Sequence, residues 1–149
     1  MEKVKIKIKR KDRCEDLPLP KYMSEFASGM DIYADVEGEV ILNPGEIKLI
    51  SAGFYMSLPY GYEAQIRPRS GLAIKHGISI VNSPGTIDSD YRGLVGIILI
   101  NHGKGPFVIK RATRIAQMVI QKVIVADTEL VEELDETARA GGGFGHTGT

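Results

Sequence analysis

An all-β chain, a sandwich or barrel of many short strands, is what this sequence predicts, and three observations carry the expectation. Apolar residues alternate strictly with lysines near the N-terminus. From residue 30 to 125 short apolar runs recur between Gly, Pro and Asn turn signals, the spacing of sandwiches and barrels rather than of βαβ units. Glycine is abundant, at 17 of 149 residues with 7 prolines and no tryptophan, against a usual glycine share of about 7%.

The elements follow in order. Val4, Ile6 and Ile8 alternate with Lys5, Lys7 and Lys9, a period of two that predicts a strand with one wet face. Its lysines suit the guarded edge of a sheet. LPLP at 17–20 is extended or turn-like, because each proline fixes its own φ and restricts the residue before it. MDIYADV, EVIL, EIKLISAGFYMSL and YEAQI come next, with turns at NPG (43–45) and PYG (59–61). GISIV, LVGIILI, FVI and RIAQMVIQKVIV complete the strands, with a further turn at NSPG (82–85). Two segments admit a helix. Residues 70–75 read as one short turn starting from a Ser70 cap. Residues 127–138 place Leu130 and Leu134 four apart, with Asp127 or Thr128 as caps; their position after a run of strands weighs against it. There is no internal repeat, long linker or second domain.

Composition excludes several classes. A chain of 149 residues and 16.3 kDa predicts one domain able to bury roughly 70% of its unfolded surface, without disulfide or metal staples. Nineteen basic residues balance nineteen acidic ones, so the basic excess of a typical nucleic-acid binder is lacking. Cys14 is the only cysteine, which precludes an intramolecular disulfide and suits a reducing compartment. The longest apolar stretch, Leu94 to Ile100 with one glycine inside, is far short of the roughly 20 residues of a membrane-spanning helix. The N-terminus has no apolar core of a signal peptide. These features predict a soluble, cytoplasmic protein with neither nucleic-acid nor membrane partner.

The tail ARAGGGFGHTGT (138–149) formally contains GxGxxG at 143–148. A dinucleotide site also needs a strand before and a helix after the glycines, and only Thr149 follows. A P-loop fails for want of Gly-Lys-Ser/Thr. Two readings stay open. One is a disordered terminus. The other is a mobile flap whose amides, free of Cβ atoms, wrap an anion, with Arg139 adding charge and Phe144 a flat face for a base.

Two central segments carry chemistry. RPRSG (67–71) places two arginines, a hydroxyl and a glycine at a strand end, either an anion site at the start of a helical turn or a plain strand-to-turn junction. GTIDSDYRG (85–93) sets Asp88 and Asp90 two apart. In a strand both carboxylates share a face and can orient water or a divalent cation; in isolation D-S-D more often means a β-turn. Asp31 and Gln117 pass as ordinary strand residues. His76, His102 and His146 lack metal-ligand spacing, so a His/Cys zinc site is not expected.

Five segments occur in order: ASGMD (27–31), RPRSGLA (67–73), NSPGTIDSDYRG (82–93), RIAQM (114–118) and RAGGGFGHTG (139–148). Together they resemble the five motifs of the trimeric dUTPase family, deoxyuridine triphosphate nucleotidohydrolases, from about residue 15 to the end. Nine of the seventeen glycines lie inside them. Ala140 stands where the family usually has Gly, and His146 where it usually has Ser. The resemblance implies a distorted jelly-roll-like β-clip fold with at most one short helix, a single β domain over 1–138 and a mobile arm over 139–149. It also implies largely extended chain at 127–138, a homotrimer with active sites shared between subunits, and each site closed by another subunit's arm. The implied reaction is dUTP + H₂O → dUMP + pyrophosphate with Mg²⁺, limiting dUTP and supplying dUMP for dTMP synthesis.

By position, the resemblance makes Asp88 the base for the attacking water. A free Asp has a pKa near 3.9, so partial burial that raises it would help. Arg69, Ser70, Gly71 and Gln117 would line the phosphates, Arg139 would reach the γ-phosphate, and Asp31 would touch the water shell of Mg²⁺. A hairpin around 82–91, with Asn82, Gly85, Thr86 and Ile87, would read uracil. Tyr91 would pack under the deoxyribose, and Phe144 and Gly145 would close from the arm. Asp90 would support the site by pairing with an arginine. Two rivals are a dCTP deaminase, alone or bifunctional, on the same fold and a non-catalytic nucleotide-binding module.

Overall fold

The computed structural model describes residues 3–143. Eleven strands and one short helix occur in the order β1 (Lys7–Arg10), β2 (Lys21–Tyr22), β3 (Met30–Tyr33), β4 (Glu39–Leu42), β5 (Ile47–Ser57), β6 (Tyr62–Arg67), α1 (Ser70–His76), β7 (Ile78–Ile80), β8 (Gly85–Ile87), β9 (Leu94–Asn101), β10 (Phe107–Lys110) and β11 (Arg114–Lys122). They form a four-stranded sheet β1-β5-β9-β7, a five-stranded sheet β2-β3-β11-β6-β8 and a β10-β4 ribbon. Every pairing is antiparallel. The predicted all-β class is the observed one.

Period-two burial builds the core. Ile50, Ala52, Phe54 and Met56 of β5 and Val95, Ile97 and Leu99 of β9 turn inward. They join Ile32 of β3, Ile66 of β6 and Met118 of β11 in one apolar cluster, on which Ile6 and Ile8 also pack. β5 changes register between Ser51 and Tyr55. Gly53 sits there at φ +73°, where an added Cβ would lie 2.9 Å from Leu17 Cδ1 and 3.1 Å from Cys14 Sγ. A buried carboxylate fastens the N-terminal segment to this body. Asp35 accepts from Lys11 Nζ at 2.6 Å, Arg111 Nη1 at 2.8 Å and Ser51 Oγ at 2.9 Å. Burial pushes its pKa up, but these donors outweigh burial and hold it well below the usual carboxylate range.

Three local expectations are corrected, and at 127–138 the extended reading holds over the helical one. The N-terminal ladder starts at Lys7, so Val4 precedes it. The helix at 70–76 forms, but Arg69 is its N-cap, in extended conformation and without a side-chain cap bond, and Ser70 is the first helical residue. No helix forms at 127–138, where the chain is irregular and exposed. Leu130 and Leu134 there are exposed, uncovered by the described residues, and a short helix without tertiary packing is marginal in water. Nor do residues 82–91 make a hairpin. β7 pairs with β9 in one sheet and β8 with β6 in the other, so the 81–84 turn carries the chain between sheets. Among the described residues no helix is long and apolar enough to cross a membrane.

Candidate active site

β11 lies between β3 and β6, which puts Asp31, Gln117 and Arg67 in one row across three strands. Directly opposed residues share a face, so this row gathers three motif segments in one place. Asp31 is only 8% exposed and is held between two guanidinium groups. Arg69 Nε donates to its Oδ1 at 3.1 Å and Arg114 Nη1 to its Oδ2 at 3.0 Å. Arg69 Nη1 also donates to the Arg114 carbonyl at 3.1 Å. Gln117 Nε2 donates to the Pro68 carbonyl at 2.9 Å, fixing the residue just before Arg69. Ser70 and Gly71 open α1, whose first hydrogen bonds run from the Leu72 and Ala73 amides to the Arg69 carbonyl. A Cβ at Gly71 would meet nothing within 4 Å, so the backbone is open to an approaching ligand. This half of the site concentrates positive charge at a strand-to-helix junction.

The second half lies on β8 and the loop after it. Thr86, Ile87, Asp88, Tyr91, Val95 and Gly96 line a pocket of about 260 Å³. Asp88 and Asp90 sit in a turn closed by the Tyr91 amide on the Asp88 carbonyl, not on a strand face. The turn reading is therefore the correct one, because β8 ends at Ile87. Asp88 is exposed in the single chain, which does not provide the partial burial expected for it. Among the described residues Asp90 forms no ion pair, against the expected arginine partner. Neighbouring Arg92 donates instead to the Ser89 and Tyr91 carbonyls. The Tyr91 hydroxyl donates to the Leu94 carbonyl at 3.1 Å, and its ring lies so close over Gly93 that an added Cβ would be 2.3 Å from the hydroxyl oxygen. Gly85 is close-packed too, a Cβ there meeting Asn82 Nδ2 at 3.3 Å and Ile66 Cβ at 3.4 Å.

The two halves stand apart in one chain. β6 pairs with β8 through Ile66 opposite Gly85 and Ala64 opposite Ile87, so Asp88 continues toward residue 63 while Arg69 lies beyond the other end of β6. Six residues of extended chain separate those levels by roughly 20 Å. Asn82 and Gly85 lie nearer the arginine end. Arg139 is exposed, its Nε donating to the Gly142 carbonyl at 2.8 Å. Phe144 and Gly145 lie outside the described residues.

The model of the dUTPase family matches residues 15–148. The chain belongs to the dUTPase family. Deoxyuridine 5'-triphosphate nucleotidohydrolase of Caldanaerobacter subterraneus subsp. tengcongensis is 60% identical over 143 residues, 96% of this chain and 97% of that protein. The enzyme of that name from Syntrophotalea carbinolica is 54% identical over 148 residues, 99% of each. A variant dUTPase of Staphylococcus bacteriophage 80alpha, solved with dUpNHpp, superposes with a TM-score of 0.85 at 24% identity, covering 97% of this chain and 99% of that one. The distorted jelly roll is thus the β-clip fold of dUTPases.

Within this dUTPase-family site two groups escaped the sequence reading. Arg114 stood inside a recognised motif without a role, yet it holds one oxygen of Asp31. Gly29 is packed against Gln117, since a Cβ there would lie 2.5 Å from its Oε1 and 3.2 Å from its Cβ. The signal for both was the in-order company of Asp31 and Gln117. Their partners become visible only once β3 and β11 are paired.

Proposed function

We propose that this dUTPase acts as a dUTP diphosphatase whose complete site joins the arginine half of one copy to the Asp88–Tyr91 half of another. One observation carries the reading: the β6–β8 register sets Asp88 roughly 20 Å along the strands from the Arg69–Gln117 group of the same chain. A shared site brings such halves together, and the exposed apolar residues Ile124, Val125 and Leu130 after β11 suit an assembly that covers them. A homotrimer is the assembly this reading adopts.

In the reaction a water attacks the α-phosphorus, the bond from that phosphorus to the bridging oxygen breaks, and pyrophosphate leaves in line. Asp88 receives the water's proton. General-base assistance contributes about 10²–10⁴-fold, and positioning with charge stabilisation supplies most of the rest. Arg69, held in place by Asp31, faces the phosphates together with Ser70, Gly71 and Gln117, and Arg139 reaches the terminal phosphate from the arm. Phe144 and Gly145 complete the closure over uracil.

Among the described residues of one chain no three His, Cys, Asp or Glu groups cluster as a metal site, so a cage made by one chain alone does not fit. Each Asp31 oxygen accepts one N–H and keeps acceptor capacity, which fits an outer contact to a water of Mg²⁺. The ion prefers six oxygens and keeps several waters, so the substrate's phosphates would hold it and it would neutralise their charge. The Mg(II) ion named for the phage phi11 dUTPase of the same fold is a structural one, a different place from the phosphate-held ion of this reading.

Selectivity rests on the other half. Backbone groups of 85–87 and the Asn82 amide would pair with uracil, leaving no room for a 5-methyl group. A cytosine would leave buried groups unpaired. Tyr91, anchored at its hydroxyl and against Gly93, would underlie the deoxyribose and exclude a 2′-OH. The product dUMP would feed dTMP synthesis in the cytoplasm.

Pyrophosphate release from the common nucleoside triphosphates, with and without Mg²⁺, tests this function. dUTP with Mg²⁺ is expected to be the preferred substrate; ammonia from dCTP without pyrophosphate from dUTP would overturn the reading. Tyr91→Ala is expected to narrow the dUTP/UTP ratio of kcat/KM by about 10–100-fold. Gly29→Ala, which pushes Gln117 off the Pro68 carbonyl, is expected to raise KM for dUTP about 5–10-fold, the value of one hydrogen bond, while the thermal midpoint shifts little.

A further inference from the structure

In the proposed reaction the loop from Asp88 to Gly93 carries two residues with separate duties, the base Asp88 and the sugar-reading Tyr91. β8 stops at Ile87 and β9 starts at Leu94, so no ladder holds the residues between them. Among the described residues one backbone hydrogen bond lies within 88–93, from the Tyr91 amide to the Asp88 carbonyl at 3.2 Å, the long end of the N–H···O range. A side chain supplies a stronger tie. Arg92 Nη1 donates to the Ser89 carbonyl at 2.7 Å and to the Tyr91 carbonyl at 2.8 Å. That nitrogen has two N–H groups, one for each carbonyl, and a charged donor makes bonds roughly twice as strong as a neutral one.

The cation has no carboxylate to serve instead. Arg92 is exposed, forms no ion pair among the described residues, and shares its surface groove with Lys7 and Lys9 but with no acidic residue. An exposed arginine tied only to water keeps its rotamer freedom; this one folds back on its own loop. Tyr91 is held from its far end as well, by its hydroxyl on the Leu94 carbonyl at 3.1 Å and its ring over Gly93. We propose that Arg92 is the positioning residue of this loop, one guanidinium setting the base and the sugar-reading ring at a fixed separation. The proposal rests on the roles given above to Asp88 and Tyr91. Arg92 acts through the backbone and touches neither substrate nor reacting atoms. Without it Asp88 has slack to shift, and a misplacement of about 1 Å costs up to about 10²-fold in rate. Tyr91, loosened with it, yields room to a 2′-OH. Gln117 on β11 and Arg69 beyond β6 are untouched.

The test is steady-state kinetics of full-length Arg92→Met and Arg92→Lys with dUTP and UTP, read beside the thermal midpoint and native mass. Methionine keeps the stem and removes every donor. It is expected to lower kcat for dUTP about 10–100-fold and to narrow the dUTP/UTP ratio of kcat/KM about 3–10-fold. Inhibition by inorganic tripolyphosphate, a probe of the arginine half alone, should stay unchanged. Lysine keeps the charge but donates from a flexible point, so it is expected to fall between arginine and methionine in both quantities. A merely structural role cannot give this pattern, because loss of folded or assembled protein lowers turnover of dUTP and UTP alike and leaves their ratio unmoved. Unmodified kcat in Arg92→Met would overturn the proposal, as would a fall in kcat with the ratio intact. Asp88→Asn, measured alongside, separates the two levels. If that variant is inactive while Arg92→Met is normal, only the Arg92 assignment is lost; if Asp88→Asn turns over normally, the base reading is lost with it.

Discussion

Asp88→Asn is expected to keep dUTP binding within a few-fold and to lower kcat about 10²–10⁴-fold, the worth of a positioned general base. The substitution preserves shape, and the turn that presents the residue is closed by the backbone carbonyl of Asp88, not by its carboxylate. Binding groups on Arg69, Gln117 and the β8 backbone are untouched. The loss should therefore appear in kcat and not in KM, the pattern of an interaction made only in the transition state. Single-turnover rates and equilibrium titration with a non-hydrolysable analogue separate the two quantities. Near-normal kcat would remove Asp88 as the base.

Deleting residues 139–149 is expected to reduce turnover by a comparable factor without unfolding the body. β11 ends at Lys122, and every residue of the apolar core precedes it, so the thermal midpoint should hardly move. On the proposed function the deletion takes away the groups assigned to the terminal phosphate (Arg139) and the base (Phe144) and the closure that excludes water, contributions that would act through orientation and electrostatics. Full activity after truncation would remove the arm from the mechanism.

The strands were legible because burial alternates with period two, and Ile50, Ala52, Phe54 and Met56 are a plain instance of it. Turns at 43–45 and 59–61 were legible from glycine and proline chemistry. Pairing was not. NSPG reads locally as a hairpin turn, yet the strands on either side join different sheets, a choice made by distant partners. The Leu130–Leu134 spacing reads as a helix only if something covers it, and nothing among the described residues does. The site shows the same division. Five short motifs named Asp31, Arg69 and Gln117, but the Asp31 clamp unites residues 38 and 83 positions away. Arg114 gained its role only from that fold. Likewise, Asp88 and Asp90 spaced two apart fit a strand face or a turn equally, and the end of β8 at Ile87 decides for the turn.

The central claim, that each active site is built from more than one copy, has a direct test in mixing two dead variants. Arg69→Ala spoils the arginine half and Asp88→Asn the base half, and each alone should be nearly inactive. Refolded together in equal amounts, they form mixed rings in which some interfaces pair an intact arginine half with an intact Asp88 half. Random assembly of a symmetric ring gives such an interface roughly a quarter of the time, so turnover should recover to about a quarter of the unmodified enzyme's. A mixture no more active than either variant, in trimers shown by native mass to contain both chains, would contradict the shared site and place both halves at work within one chain.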